Sequence, residues 1–421
     1  MKVAYIMSRF PNLTETFVLN EIVALERQDV TTSVYPLIKT RQRLVHTEAV
    51  RIAERAHYHP FLSLCILFAN AYFLFAQPRK YFGVLLEVLR GTWGSVNFFI
   101  GTIGIFPKAV RFAYEMAGEG VTHVHAHFAN HPAVAALIIH RLTGIPFSFT
   151  GHGHDVHIER RMLDKKCAAA AFAVMISRYN KELVLSDFPH IRSDKIHVLY
   201  SGVDTRKFSP PERRESSEVV SILCVGSLIE VKGHLYLVKA CRLLKERGVR
   251  FVCNLVGSGA DRSCIESEIR SAELEDHFVL HGALTNQGVV KRLHTTDVMV
   301  QPSVWTKRGS REGIPVSLIE GMASGLPVVA SELSGIPELV VNGETGFLVP
   351  PRDEVALADA LEKLINDPGV RRQFGDAGRR RVRESFDLDQ NASKLIDLIR
   401  DVSFATKTRP CEDSPTRGGV S

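Results

Sequence analysis

The sequence predicts an α/β protein of two doubly wound domains in series, and three observations carry that reading. A chain of 421 residues with 45% hydrophobic and 23% charged content suffices for two cores of ordinary size. Short apolar strand-like runs alternate with helical segments, the pattern of parallel sheets covered on both faces, and the pattern occurs twice. Periodicity lapses between Val203 and Pro211, where Asp204, Ser209, Pro210, Pro211 and the charged run from Glu212 to Glu215 mark a linker. The expected domains are 1–205 and 206–385, followed by a helical segment at 386–400 and a tail at 401–421.

In the first domain, 3–7, 121–128 and 146–150 read as strands, and 132–142 as a helix stopped near Gly144 and Pro146. In the second, 219–225, 251–256, 278–281, 297–301 and 327–330 read as strands with helices between them. No internal repeat is visible. After Asp401 the chain turns rich in Thr, Pro, Gly and Ser, a composition that predicts disorder. Two such domains set the carboxyl ends of both sheets around one cleft, so a site is expected between them.

Composition narrows the partners. The formal net charge of +6 is mild, suiting an acidic small molecule or an anionic membrane surface as well as nucleic acid; no nucleic-acid-binding signature is present, so nucleic acid is not an expected partner. Seven scattered cysteines without a Cys-x-x-Cys pair point away from a disulfide framework or zinc site and toward reducing cytosol. The chain enters a β-like run from Met1 without the long apolar stretch of a signal peptide. A cytoplasmic location is expected, peripheral at most on the inner face of the plasma membrane. The uncharged segment 61–76 would extend about 24 Å as a helix, short of a hydrocarbon core of roughly 30 Å. Lys39, Arg41, Arg43, Arg51 and Arg55 precede it, diluted by Glu48 and Glu54. Two readings stand: a surface that docks on acidic headgroups, or a buried helix after a solvated basic loop.

The strongest chemical signal is 312–320, Glu-Gly-Ile-Pro-Val-Ser-Leu-Ile-Glu, which sets Glu312 at a helix entrance and Glu320 inside that helix. Gly313 lets backbone approach a ligand, Pro315 suits a first helical turn, and the unpaired N–H groups there attract phosphate. Carboxylates accept hydrogen bonds from vicinal hydroxyls, so Glu320 is expected to hold a ribose and Glu312 a transferred sugar, as a nucleotide-sugar would require. The alternative is an amphipathic helix with two solvated acids.

This stretch, with its continuation Gly-Met-Ala-Ser-Gly-Leu-Pro-Val-Val-Ala to Ala330, resembles retaining glycosyltransferase family 4, in the style of bacterial exopolysaccharide, colanic-acid-like or lipopolysaccharide transferases. Further matching stretches are 8–17 (Ser-Arg-Phe-Pro-Asn-Leu-Thr-Glu-Thr-Phe), 123–128 (His-Val-His-Ala-His-Phe), 149–155 (Phe-Thr-Gly-His-Gly-His-Asp), Gly202-Val203-Asp204 before Phe208, and 342–346 (Asn-Gly-Glu-Thr-Gly). The resemblance spans most of the chain. It implies the GT-B fold: two Rossmann-like domains facing a central cleft, the first on the acceptor side, the second binding the nucleotide-sugar, and a closing helix that packs back on the first.

The resemblance also implies residue roles. A basic pair in the loop 226–233 would hold the donor pyrophosphate; Lys232 matches, while Ser227 stands where the family usually has arginine. Losing a bidentate guanidinium weakens such a grip by about 1.5–3 kcal/mol, and Arg308, Arg311 or Arg9 is expected to supply the missing charge. Gly257-Ser258-Gly259 resembles the loop near the nucleotide base, although Gly-x-Gly also serves ordinary turns. With Gly257 and Gly259, the expected donor set is Ser227, Lys232, Arg311, Glu312, Gly313, Ile314, Pro315, Val316 and Glu320. His152 stands where the family places a histidine facing the donor sugar, to support charge developing at the anomeric carbon; the catalytic set is then His152, Glu312 and Lys232. His127 and Asp155 are positioning candidates. Arg9, Thr14, Glu15 and Thr16 form a polar loop after the first strand, suited to contacts across the cleft or to capping a helix.

His123, His125 and His127 share one face of a strand, and His152, His154 and His157 crowd the end of the next. No nearby Cys or Glu pattern completes a ligand set, so no metal site is expected. The only Asp-x-Asp, Asp387-Leu388-Asp389, falls in the late helical region, so no essential metal cofactor is expected; leaving-group charge would fall to Lys232 and the helix entrance at 313–316. The family implies retention by front-face attack, the departing phosphate accepting the proton of the incoming hydroxyl. The expected activity is transfer of a sugar from a nucleotide-sugar, UDP-sugar by default, to a hydroxyl of a glycan or lipid-linked glycan acceptor in surface polysaccharide biosynthesis. Ser227 keeps open a non-catalytic nucleotide-sugar-binding partner of another transferase; a GT-B sugar-nucleotide epimerase is the other alternative.

Overall fold

The computed structural model describes residues 1–11, 16–40, 47–61, 63–158, 160–212, 219–307 and 309–407. The first domain runs β1 (Lys2–Phe10), α1 (Thr16–Arg27), β2 (Thr31–Lys39), α2 (Thr47–Glu54), α3 (Leu64–Ala76), α4 (Pro78–Thr92), α5 (Val96–Gly118), β3 (His123–His127), α6 (His131–Thr143), β4 (Phe147–Gly151), α7 (His154–His157), α8 (Leu163–Ala169), β5 (Phe172–Met175), α9 (Arg178–Asp187) and β6 (Ile196–Val198). The second runs β7 (Val220–Val225), α10 (His234–Glu246), β8 (Phe251–Val256), α11 (Arg262–Ser271), β9 (Phe278–Gly282), α12 (Asn286–His294), β10 (Val298–Gln301), α13 (Val316–Ala323), β11 (Val328–Ser331), α14 (Ile336–Leu339), β12 (Gly346–Val349), α15 (Glu354–Asn366) and α16 (Pro368–Ser385), and α17 (Leu388–Lys407) closes the chain.

Each domain holds one six-stranded parallel sheet, ordered β2-β1-β3-β4-β5-β6 in the first and β12-β11-β10-β7-β8-β9 in the second. Both faces of each sheet are covered, as parallel sheets require. Along β1, Ala4 and Ile6 join the core under α5 and α6, while Val3, Tyr5 and Met7 join the opposite layer with α1 and α17. In the second domain Ile222 and Cys224 face α10 and α15, while Leu223 faces α13. These alternations follow from the two-residue period of a strand.

Four strands escape the sequence reading. They are β5, β6 and β12, of three or four residues each, and β2, buried along most of its length with Pro36 inside it. The tail also differs: α17 continues through Lys407 where disorder was expected from 401, because Val402 extends the apolar stripe of Leu395, Ile396 and Ile399 that packs with Val18, Leu19 and Ile22 of α1. Residues 408–421 lie outside the described residues.

The segment 61–76 is not a buried helix. α3 buries Ile66, Ala69 and Phe73 and leaves Leu64 and Phe75 more than four-fifths exposed. The basic run before it is partly taken up by surface ion pairs, since Arg51 and Arg55 both pair with Glu26; Arg41 and Arg43 lie outside the described residues. Among the described residues one helix, α5, is long and apolar enough to cross a membrane, and half of its apolar window is buried in the fold.

Candidate functional site

The carboxyl ends of the two sheets border a cleft of about 600 Å³, lined from the first domain by Thr16, Phe17, Phe128, His152, Gly153 and Asp155, among others, and from the second by the loops after β7, β8 and β10 and the start of α13. Strand order reverses between β1 and β3 in one sheet and between β7 and β10 in the other, the places where doubly wound sheets open a crevice for ligands.

On the second-domain wall, Gly226 and Ser227 follow β7, and Lys232 closes a short turn at Glu230–Lys232. The Lys232 ammonium lies 2.7 Å from Glu312 Oε2, both side chains largely covered. Gly257 also lines the cleft; its φ of +148° and a Cβ position only 1.8 Å from the Gly226 carbonyl oxygen require glycine there. Gly259 does not reach the cleft. It packs against the Leu228 backbone, so its role is to let two loops meet, and the donor-binding expectation for it is corrected.

Gly313, Ile314, Val316 and Glu320 line the cleft with Glu312. Pro315 is the N-cap of α13, with ψ 122°, one position before the helical turn assigned to it, and is not among the lining residues. Glu320 is only 9% exposed, and burial pushes its carboxyl up to about 8 against a weaker opposing pull from Lys207. The reading of two solvated acids therefore fails for Glu320. A carboxyl that keeps its proton near neutrality both donates and accepts, which matches a vicinal diol.

On the first-domain wall, His152 sits between the rings of Phe17 and Phe128, with centroids 4.9 and 4.6 Å away. His127 is buried behind it: Nδ1 lies 3.3 Å from His152 Nε2, and Nε2 lies 3.0 Å from Glu21 Oε1, which also accepts from the Tyr5 hydroxyl at 2.8 Å. Burial raises Glu21, but the charges and hydrogen bond of His127, with His125 and Tyr5, outweigh it and bring the carboxyl down to about 2. Burial drives His152 well below the usual imidazole range. An ionised Glu21 accepts from His127 Nε2–H and so fixes the orientation of the His127 ring, whose Nδ1 faces His152 Nε2. His127 is thus a positioning group, not part of the cleft wall proper.

Asp155 lines the cleft, yet its carboxylate is committed to the backbone: it accepts from the N–H of His152 at 3.0 Å and from that of Ala129. It shapes the loop carrying His152. His123 and His125 are pushed down to about 3, chiefly by burial, and bond to Ser148 and Thr150. The ligand atoms of Glu21, His125 and His127 lie within 4.8 Å of one another, but each of these ring nitrogens already has a hydrogen-bond partner.

Among the described residues one candidate for the missing arginine lines the cleft. Arg9 is exposed on β1 and outside the cleft lining, and Arg308, Thr14 and Glu15 lie outside the described residues. Arg311 lines the cleft, donates to the Tyr179 hydroxyl of the first domain and lies over that ring at 5.7 Å. Sequence reasoning missed Phe17, Glu21 and the α12 entrance at Thr285 and Asn286, which also lines the cleft. Glu21 is 106 positions from His127, and on a short amphipathic helix it carries no signal of its own.

Residues 15–207 match the model of Glycosyltransferase Family 4, and residues 205–381 that of Glycosyl transferases group 1. The chain is 30% identical over 430 residues, covering 95% of itself and all of the relative, to a protein of Escherichia coli K12 named for colanic acid biosynthesis, the glycosyltransferase WcaL. It is 29% identical over 382 residues, 86% of itself and 90% of the relative, to the amylovoran biosynthesis glycosyltransferase AmsK of Erwinia amylovora. The solved structure of HepE from Anabaena, in complex with UDP, superposes with a TM-score of 0.70 at 14% identity, covering 95% of this chain and all of that one.

Proposed function

We propose, since the chain belongs to glycosyltransferase family 4 and folds as a GT-B transferase, that it moves a sugar with retention from a nucleotide-sugar to a hydroxyl of a lipid-linked glycan during assembly of a bacterial surface polysaccharide. The relatives named for colanic acid and amylovoran biosynthesis support the pathway class. UDP-sugar is the donor of choice, in keeping with the UDP complex of HepE. The reaction would take place at the cytoplasmic face of the plasma membrane, with the enzyme held peripherally on anionic lipid.

The observation that carries this reading is the convergence of Lys232, Glu312, Glu320 and His152 on one interdomain cleft. Lys232 and the amide-lined entrance of α13 take the diphosphate and its growing charge. Glu320, protonated at neutral pH, takes the ribose hydroxyls. Glu312 and His152 orient the sugar, and the ionised Glu21, acting through His127, holds His152 in place and favours positive charge on that side of the cleft. The leaving phosphate accepts the acceptor proton, so no protein nucleophile is needed. No metal is required on this reading: Glu312 is paired with Lys232, and Asp155 with backbone amides.

Incubation with UDP-, GDP- and ADP-sugars, with and without a polyprenyl-linked acceptor and in excess chelator, tests it. Transfer with the anomeric configuration kept, undiminished by chelator, is the expected result; binding without any donor turnover would favour a non-catalytic partner, and an altered sugar still on its nucleotide an epimerase.

A further inference from the structure

The three helices α3 to α5, inserted between β2 and β3, carry an apolar surface that the fold does not use. α3 turns Ile66, Ala69 and Phe73 inward, while Leu64, Leu67, Phe68 and Phe75 form an outward stripe at helical spacing. α4 buries Val84 and Val88, and its outward stripe reads Arg79, Phe82, Leu86, Arg90, with Trp93 just beyond its end. On α5, Val96 and Ile100 are 77% and 63% exposed. More than half of the exposed large apolar side chains among the described residues fall between Phe61 and Ile103.

These stripes belong to one packed unit. Phe68 and Tyr72 pack on Tyr114, Tyr81 on Phe106 and Trp93 on Phe99, so α3 and then α4 pass along α5 from its C-terminal to its N-terminal half. The charge pattern is one-sided. Between 61 and 107 the only acid is Glu87, which Arg141 holds through two hydrogen bonds, whereas Arg79, Lys80 and Arg90 are exposed.

One end of the strip reaches the edge of the cleft. Arg161, in the segment that follows β4 and carries His152 and Asp155, donates to the Trp93 and Gly94 carbonyls at 3.2 and 2.8 Å. Phe98 stacks at 4.4 Å on His131, which opens α6 directly after β3. The α4–α5 turn therefore sits on the same carboxyl edge of the first sheet that borders the cleft.

We propose that α3 to α5 form a docking surface for an anionic bilayer, with Trp93, Val96, Ile100 and the α3 stripe entering the boundary between headgroups and acyl chains and Arg79, Lys80 and Arg90 meeting the headgroups. Apolar and basic side chains interleaved on exposed helix stripes, without acids, fit an anionic lipid interface. The helices lie on the membrane and do not cross it, because their inner faces are held in the domain core. This deepens the reading of a lipid-linked acceptor and rests on it: docking here brings the acceptor side of the cleft to the leaflet that carries such a lipid.

The test is flotation of the full chain with vesicles of phosphatidylglycerol and phosphatidylethanolamine, against phosphatidylcholine alone, for wild type, Leu67→Ser/Phe75→Ser, Trp93→Ser/Ile100→Ser and Arg79→Glu/Lys80→Glu. Wild type should float with the anionic vesicles, and each double variant should lose tenfold or more of that partitioning while binding UDP as wild type does. Wild type that stays unbound, or variants that float like wild type, would overturn the proposal. So would apolar variants that instead dissociate a dimer in sedimentation, which would assign the strip to a second copy. Intact flotation with transfer only to water-soluble acceptors would uphold the surface and overturn the lipid-linked acceptor.

Discussion

Glu320 sits on the second turn of α13 with nine-tenths of its surface covered, and burial holds its proton up to about pH 8. An unfolded glutamate releases that proton near 4.3, so between these values the folded chain binds more protons than the unfolded one. Stability contributed by this site therefore falls as pH rises through that window, by up to about 1.4 kcal/mol per pH unit. Glu320→Gln removes the titration: the melting temperature of wild type minus that of the variant should decline from pH 5 to pH 8. A constant difference would mean that Glu320 ionises normally. Glu21 tests the histidine chain. In Glu21→Gln the charge that orders His127 and His152 is gone while the shape stays, and a charge-assisted hydrogen bond of about 1.5–3 kcal/mol predicts a fall in kcat of roughly tenfold or more. Steady-state kinetics should show donor KM nearly unchanged; a rise in KM with kcat preserved would make Glu21 a packing residue. That Lys232, Glu312, Glu320 and His152 border one cleft could be read ahead, because each stands at a fixed place in a motif. Glu21 could not be, because its meaning arises only when α1 folds beside β3, and Gly259 was misread because a packing glycine and a ligand-facing glycine look alike in sequence.

At the scale of elements, the long apolar runs gave strands of the right type, and the second-domain strands fall within a residue or so of the expected limits. The unread strands β2, β5, β6 and β12 owe their conformation to the neighbours they pair with more than to a period of their own. Side-chain contacts that join elements far apart in sequence were illegible, unlike a local stop such as Gly144 at the end of α6. The clearest is the entrance of α9, where Glu338 of the second domain accepts from the N–H groups of Arg178 and Tyr179 at 2.8 and 2.9 Å and from the Tyr200 hydroxyl at 3.0 Å. A carboxylate on a helix N-terminus contributes typically 0.3–1 kcal/mol, up to about 2 when partly buried. Glu338→Gln should thus lower the melting temperature by roughly 2–4 °C per kcal/mol lost, and scanning calorimetry would show it. No change would mean that the two domains are held together by other contacts, such as Gly313 against Ile176.

For the whole molecule, two parallel sheets aim their carboxyl ends at one gap, and α17 returns to α1, so the last described helix belongs to the first domain's wall. The mild positive charge suits both an anionic donor and an anionic surface. What unites these features on the proposed reading is a nucleotide-sugar held between Lys232 and the paired acids. The most direct measurement is isothermal titration of UDP into wild type and Lys232→Ala. Removing a charge-assisted contact of about 1.5–3 kcal/mol predicts affinity weaker by roughly tenfold to a hundredfold in the variant. Equal affinity in the two proteins, or no binding of UDP, GDP or ADP by wild type, would contradict the account.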